Sequence, residues 1–406
     1  MEKKSILMVT GIFPKISETF VVDQVIETSN RGFAVSVLAN NYELTHNYES
    51  EIKIFYLNLS KNKLIFKARF ISSLIINLIL SSKLLFLLIG DLFLRKIGLK
   101  DFVWLSLVIR KKKDLIKDDY DIIQGQHASL CNKVLLLKDY FFIDAKTIVY
   151  ARGNDVTAEI SNNLSKYIKA LSRCDLIISV CDYLKNELIK LGIDSNKIIT
   201  LYGGINLSNF MLKEVQVNNN KPIQFLSIGR LVAKKGFDDA IKAFDELNRL
   251  SKFVDWSYSI YGSGEEYNRL NQMIEDFNLT NKVFLKGAIK PESVPKVMFN
   301  RDIFISSNKT ALDGGAEGIP NVIKEAMAIG LPVIATKHAG IPELIENGKT
   351  GFLVSEGNYK QLAVKILEVL YRDDLESIKT MAREKIETQF NLEKNICFLT
   401  EIYGEL

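Results

Sequence analysis

The feature that most limits what this chain can fold into is its alternation of short, nearly continuous apolar runs with helical patterns, interrupted once. Runs lie at Ile6–Val9, Ala34–Ala39, Asp121–Ile123, Lys146–Tyr150, Asp175–Val180 and Lys197–Tyr202, and Thr19–Asn30 reads as a helix ending near Gly32. Strands buried on both faces lose the in-out alternation of half-exposed ones, and strands separated by helices form parallel, doubly wound sheets. Met211–Pro222, with Asn218-Asn219-Asn220, carries no apolar period and reads as a linker. The pattern then restarts with Ile223–Ile228, Ser257–Tyr261, Lys282–Leu285, Ile303–Ser306 and Val333–Ala335. The expected fold class is therefore α/β, with two Rossmann-like doubly wound parallel-sheet domains facing across a cleft. A length of 406 residues accommodates both. In such sheets ligands sit beyond the carboxyl ends of the strands.

One stretch stands outside this alternation. The block from about 64 to 117 is helical and very apolar, and between Phe70 and Gly90 the only formal charge is Lys83. Its length reaches that of a membrane span, but Ser72, Ser73, Asn77, Ser81 and Ser82 interrupt it. Apolar helices that pack on the domain and touch a membrane surface fit better, with buried core helices as the competing reading. The basic run Arg110-Lys111-Lys112-Lys113 with Lys117 suits either anionic headgroups or a solvated helix end. A net charge of +5 is too small to indicate nucleic-acid binding. Four cysteines without metal-binding spacing, and no cleaved leader pattern, are expected of a cytoplasmic protein, peripheral on the membrane face if the block touches lipid.

Two motifs carry chemistry. Gly229-Arg230-Leu231-Val232-Ala233-Lys234-Lys235-Gly236 follows a strand and opens a helix. There the fork of Arg230 and the point charge of Lys235 can clamp a pyrophosphate. A solvent-facing βα loop is the bland alternative. In Glu317-Gly318-Ile319-Pro320-Asn321-Val322-Ile323-Lys324-Glu325, Pro320 suits a helix's first turn, and the free amides from Gly318 to Val322 can hold a phosphate oxygen. Glu317 and Glu325 can hold sugar hydroxyls, or serve only as acids at a helix start. His127 follows an apolar run and Gly125. Asp155 is a candidate for binding or deprotonating an acceptor hydroxyl, or a helix cap before Val156, with Glu159 four residues on. Asp119-Tyr120-Asp121 has the spacing of a metal-diphosphate motif but precedes a strand, where loop acids are common, so no metal is expected.

GRLxxxKG with Arg230 and Lys235, followed by Glu317-x7-Glu325, resembles glycosyltransferase family 4, whose members are retaining and of GT-B fold. The segments 330–336, 340–345 and 348–354 are similar to that family as well. Phe13-Pro14, Ser17-Glu18-Thr19-Phe20, Arg152-Gly153-Asn154-Asp155 and Leu201-Tyr202-Gly203-Gly204-Ile205 are similar to the transferases building colanic acid, amylovoran and related exopolysaccharides. The resemblance implies an acceptor domain at 1–205, a nucleotide-sugar domain at 206–385 and a segment 386–406 whose helix crosses back to the first. It implies that Arg230 and Lys235 neutralise the donor diphosphate, Glu325 holds the ribose and Glu317 the transferred sugar. Amides near Gly318, Ile319, Asn321 and Val322 would fix sugar and phosphates. Gly287 and Ile289 would meet the base, Gly262 would turn beside the nucleotide, and Gly11 would approach the diphosphate. His127 falls at the family's active-site histidine, where ring or carbonyl stabilises the cationic sugar. Glu18 and Asp155 are acceptor-site candidates.

The expected function is a metal-independent hexosyl transfer from a nucleotide-diphosphate sugar, a UDP-sugar above others, to a saccharide acceptor, lipid-linked at the inner membrane face. The donor is a substrate; no cofactor is expected. The rival readings are an epimerase of the same architecture and a non-catalytic nucleotide-sugar-binding subunit.

Overall fold

The computed structural model describes residues 4–15, 18–43, 52–59, 62–80, 82–110, 115, 119–158, 164–213, 222–251 and 255–406. The strongest stretch of the linker expectation, 214–221, lies outside these residues, as do Lys111–Lys113, Lys117, Ser17 and Glu159.

The first sheet has seven parallel strands: β1 (Ser5–Ile12), β2 (Ala34–Asn41), β3 (Lys53–Tyr56), β4 (Ile122–Gly125), β5 (Lys146–Ala151), β6 (Leu176–Ser179) and β7 (Ile198–Thr200), in the order β3-β2-β1-β4-β5-β6-β7. The second has six: β8 (Ile223–Ile228), β9 (Trp256–Tyr261), β10 (Val283–Leu285), β11 (Ile303–Ser306), β12 (Val333–Thr336) and β13 (Phe352–Val354), in the order β10-β9-β8-β11-β12-β13. The order reverses beside β1 in one sheet and beside β8 in the other, which opens a crevice at the carboxyl ends of β1 and β4 and of β8 and β11. Central strands are apolar because both faces are covered: Ile6, Leu7, Met8, Ile122 and Ile123 in one half and Phe225, Leu226, Ile305 and Ile334 in the other are buried.

Two strands escaped the sequence reading for different reasons. β3 is a half-exposed edge strand of four residues, and β13 has three residues, directly after the positive-φ Gly351. Neither is long enough to establish a period. The apolar block resolves into three packed helices, Lys63–Leu80, Ser82–Phe93 and Leu99–Arg110, between β3 and β4. No described helix is long and apolar enough to cross a membrane.

The last helix, Leu392–Glu405, lies on the first domain, where Leu392, Ile396, Leu399 and Tyr403 join the core formed around β1 and β4. Full burial of such an apolar side chain stabilises by roughly 1.5–3 kcal/mol. The Asn391 side chain accepts from the amides of Glu393 and Lys394, and Lys4 Nζ donates to the terminal carbonyls of Tyr403 and Gly404. Both are ordinary ways to satisfy helix ends. Ile205 pairs with this crossing strand of chain, donating to Phe390 O at 2.9 Å and accepting from Leu392 N at 3.1 Å. The approach is so close that a Cβ on Gly204 would lie 2.4 Å from Leu392 Cα. Gly204→Ala is therefore expected to destabilise the protein by about 1–3 kcal/mol, read as a lowered melting midpoint. An unchanged midpoint would show that the crossing contact is soft.

Candidate functional site

The sequence-predicted residues lie at the carboxyl strand ends and on the loops and helices that follow them. Gly11 is the next-to-last residue of β1, His127 follows β4, and Arg152 with Asp155 follows β5. On the opposite side Arg230 and Lys235 follow β8, Gly262 follows β9, Gly287 and Ile289 follow β10, and Glu317 follows β11 and precedes the helix Asn321–Ile329. Pro320 sits one position earlier than the sequence suggested. With ψ at 129° it is the residue before the helix, and Asn321 and Val322 form its first turn.

The cationic turn is fixed by backbone geometry. Ala233–Lys235 form a single 3-10 turn, and Gly236 takes a left-handed φ of 63°. A Cβ on Gly236 would lie 1.9 Å from Ser307 O, so no side chain fits there. The turn delivers Lys235 Nζ onto Glu317 Oε2 and places Lys234 Nζ 3.5 Å from Glu317 Oε1. Asn308 Nδ2 approaches the same Oε2 at 3.5 Å. Burial by itself would push the Glu317 carboxyl up. Lys235 and Lys234, with a contribution from Arg230, outweigh it and hold the group at about 2. Burial pushes Lys234 down, against the opposing pull of Glu317.

Glu325 has a different environment. The charges it senses are Lys324 and Asp23, and burial raises its carboxyl to about 7. Lys324 is driven down to about 7 by its own burial, and Nζ reaches the Gly203 carbonyl. Asp23, on the first domain, is raised to about 6 by burial and by Glu27. The sequence motif therefore contains one carboxylate locked in its ionised form and a second poised near neutrality.

On the first domain, His127 Nε2 lies 3.4 Å from Glu18 Oε2, and Lys15 pairs with the other oxygen of Glu18. Burial opposes ionisation of Glu18, but the hydrogen bonds from His127 and Lys15 prevail and hold it at about 2. Asp155 is bound into the loops around it. Its carboxylate is buried and accepts three backbone N–H groups: Ala128 at 2.7 Å, Gly153 at 2.7 Å and Arg152 at 3.0 Å. These three donors tie the loop after β4 to the loop after β5 through one carboxylate. Asp155 thereby holds these loops together. Asp121 of the suspected metal motif likewise binds Ser5, at the amino ends of β1 and β4 and so opposite the crevice.

Several contributors were not singled out from the sequence. Arg152 lies between the rings of Phe20 and Tyr150, at 4.4 and 4.3 Å, and donates to Gln126 O, Gln126 Oε1 and Gln24 Oε1. Lys234 Nζ crosses the cleft to Asn154 Oδ1 at 3.2 Å, and the Ala316 amide donates to Thr157 Oγ1 at 2.9 Å. Glu343 accepts from the amides of Asp182 and Tyr183, the first turn of the opposing helix Asp182–Lys190. The motif around Arg152 was visible in the sequence, but only Asp155 was drawn from it. Residues on different domains, such as Glu343 and Asp182, share no local spacing that could reveal the contact.

A carboxyl whose folded value exceeds its ordinary one weakens the folded state as pH rises. For Glu325 the penalty starts near the ordinary carboxyl value of 4.5 and is complete above about 7. Glu325→Gln should therefore be more stable than the parent at pH 8, by on the order of 1–2 kcal/mol, and the difference should vanish near pH 4. Melting curves across that range check this. An equal offset at both pH values would assign the effect to packing.

Comparison with known proteins gives the family of the chain. Residues 210–387 match the family model of glycosyl transferases group 1, and residues 86–209 match that of glycosyltransferase family 4. The chain is 30% identical over 391 residues to the amylovoran biosynthesis glycosyltransferase AmsK of Erwinia amylovora, covering 93% of this chain and 94% of that one. It is 32% identical over 259 residues to the putative colanic acid biosynthesis glycosyltransferase WcaL of Salmonella typhimurium, a match covering 63% of each chain. Among solved structures, Alr3699/HepE of Anabaena in complex with UDP and glucose superposes with a TM-score of 0.74 at 18% identity, covering 99% of this chain and 100% of that one. Sucrose-phosphate synthase from Thermosynechococcus elongatus gives 0.75 at 16%, covering 99% of both chains. These structural likenesses establish the GT-B fold, and the chain belongs to the group 1 glycosyltransferases.

Proposed function

We propose that the protein transfers a hexosyl group, with retention, from a UDP-sugar to a lipid-linked saccharide acceptor during synthesis of a cell-surface polysaccharide at the cytoplasmic membrane face. The observation that carries this reading is the junction of Lys234, Lys235 and Arg230 with Glu317 at the carboxyl ends of β8 and β11. The names of AmsK and WcaL, and the UDP and glucose of the Alr3699/HepE complex, support the choice of substrates.

In this reading the donor diphosphate replaces Glu317 as the partner of Lys235 and Arg230. Glu317 is thereby released, still anionic, to accept hydrogen bonds from the sugar. Glu325 holds the ribose, Gly262, Gly287 and Ile289 flank the base, and amides from Gly318 to Val322 meet sugar and phosphate. The C1–O bond to the diphosphate breaks as the acceptor oxygen bonds to C1 on the same face, and the departing diphosphate takes the acceptor proton. His127 stabilises the cationic sugar between these events. Cationic side chains supply the counter-charge that a metal supplies elsewhere. Glu18, paired with His127, borders the acceptor side.

UDP is expected to raise the melting midpoint in the presence of a chelator, since stabilisation follows ligand occupancy. Arg230→Ala and Lys235→Ala should each weaken UDP binding about tenfold or more, as loss of a charged hydrogen bond does. A panel of UDP- and GDP-sugars, scored by the same shift and by UDP release, then identifies the donor. Undiminished UDP affinity in both variants would defeat the proposed donor site.

A further inference from the structure

The helical block between β3 and β4 buries Leu85, Leu88, Phe102 and Leu105 in the domain core, yet its outer face is apolar too. On Lys63–Leu80 two polar side chains, Ser73 and Asn77, both 0% exposed, are turned inward beside the partly buried Phe66, Phe70 and Leu74. Asn77 Nδ2 donates to Ser106 O at 2.7 Å, and the Ser73 and Ser106 hydroxyls lie 3.4 Å apart. The outward side chains are Ile71, Ile75 and Leu78, each more than half exposed. Their i, i+4, i+7 spacing makes them one stripe of the helix. A helix facing water ordinarily carries polar side chains along its outer stripe.

The same bias continues through the neighbouring elements. Phe86 and Leu87 on Ser82–Phe93 are exposed, followed by Phe93 at 82%, Leu94 at 69% and Leu99 at 65%. Eight large apolar side chains in the open, on three helices packed together and the turn after the second, is more than a solitary soluble surface usually carries. Among them stand exposed cations: Lys67, Arg69, Lys83, Arg95, Lys96 and Lys100. The acids of these three helices are Asp91 and Asp101. Asp91 is nearly buried, with Tyr140 and Lys96 on its carboxylate, and Asp101 faces Lys166 at 3.5 Å. The outward charge is therefore predominantly positive.

From this face we infer a docking site for an anionic lipid bilayer. The apolar side chains enter the boundary between headgroups and acyl chains, and the lysines and arginines meet lipid phosphates. A second copy of the chain is a poorer occupant, because a two-fold contact would set these like charges against each other. The inference deepens the reading of a lipid-linked acceptor, on which its purpose rests, since such an acceptor is delivered at the same surface.

The test uses the full chain and vesicles of phosphatidylcholine with or without phosphatidylglycerol, at low and high salt. The parent should sediment with phosphatidylglycerol vesicles and bind neutral ones about tenfold less well or worse. Ile75→Glu/Phe93→Glu and Lys83→Glu/Lys100→Glu should each lose binding about tenfold or more, with circular dichroism and the UDP-induced thermal shift unchanged. A parent that stays in the supernatant overturns the inference. So does a dimer, seen by light scattering, that Ile75→Glu/Phe93→Glu dissociates. Vesicle binding without any response to UDP would preserve the docking site and remove the donor reading; the reverse pair of results would do the opposite.

Discussion

One buried carboxylate organises the first domain's share of the site. Asp155 gathers the amides of Ala128, Arg152 and Gly153, and so ties the loop after β4 to the loop after β5. Arg152 Nε completes the tie by donating to Gln126 O at 2.8 Å. His127 is thus bracketed, with the carbonyl before it and the amide after it both held from the neighbouring strand end. Charge-assisted hydrogen bonds contribute about 1.5–3 kcal/mol each, and removing the acceptor would strand three donors, at least two of them buried. The imidazole is placed by this brace and then oriented by Glu18.

The brace also sets how the two domains meet. A Cβ on Gly153, whose φ is +146°, would lie 2.9 Å from Ala316 O and 3.2 Å from Glu317 Cα. One on Gly318 would lie 3.1 Å from Arg152 O. The loop bearing Asp155 and the loop bearing Glu317 therefore meet backbone to backbone, which only glycine permits. Asn154 with Lys234, Thr157 with Ala316 and Glu343 at the amino end of Asp182–Lys190 add polar contacts around this seam. Shifting one loop displaces the other, and with them His127 and Glu317.

The fold was legible because apolar runs such as Ile6–Val9 and Ile303–Ser306 need cover on both faces, and that requirement is written locally. The cationic turn and its acids were legible because each belongs to a strand-loop-helix unit with its own spacing. What escaped depended on partners far away in the chain. Asp155 could be read as a base or a cap, and only the fold reveals that Ala128 occupies one of its oxygens. Glu343 gave no sign of its partners across the cleft. Over the described residues of the apolar block, up to 110, the element type was legible but not the face each residue would take, because Ser73 and Asn77 look like surface residues until Ser106 is placed against them.

The two acids of the motif show how one fold makes unlike groups from like residues. Glu317 and Glu325 are both largely removed from water, and burial raises both. Their difference lies in what stands nearby. Glu317 has two lysines within 3.5 Å or less and stays ionised, whereas Glu325 has a partly neutralised Lys324 and the like charge of Asp23. Carboxyls pushed apart in this way are suited to different tasks. In the proposed reaction an obligate anion belongs beside the sugar that develops positive charge, because its stabilisation there grows toward the transition state. A carboxyl near neutrality belongs beside ribose hydroxyls, which both donate and accept. The roles proposed for Glu317 and Glu325, which come from the family resemblance, draw on this difference in charge.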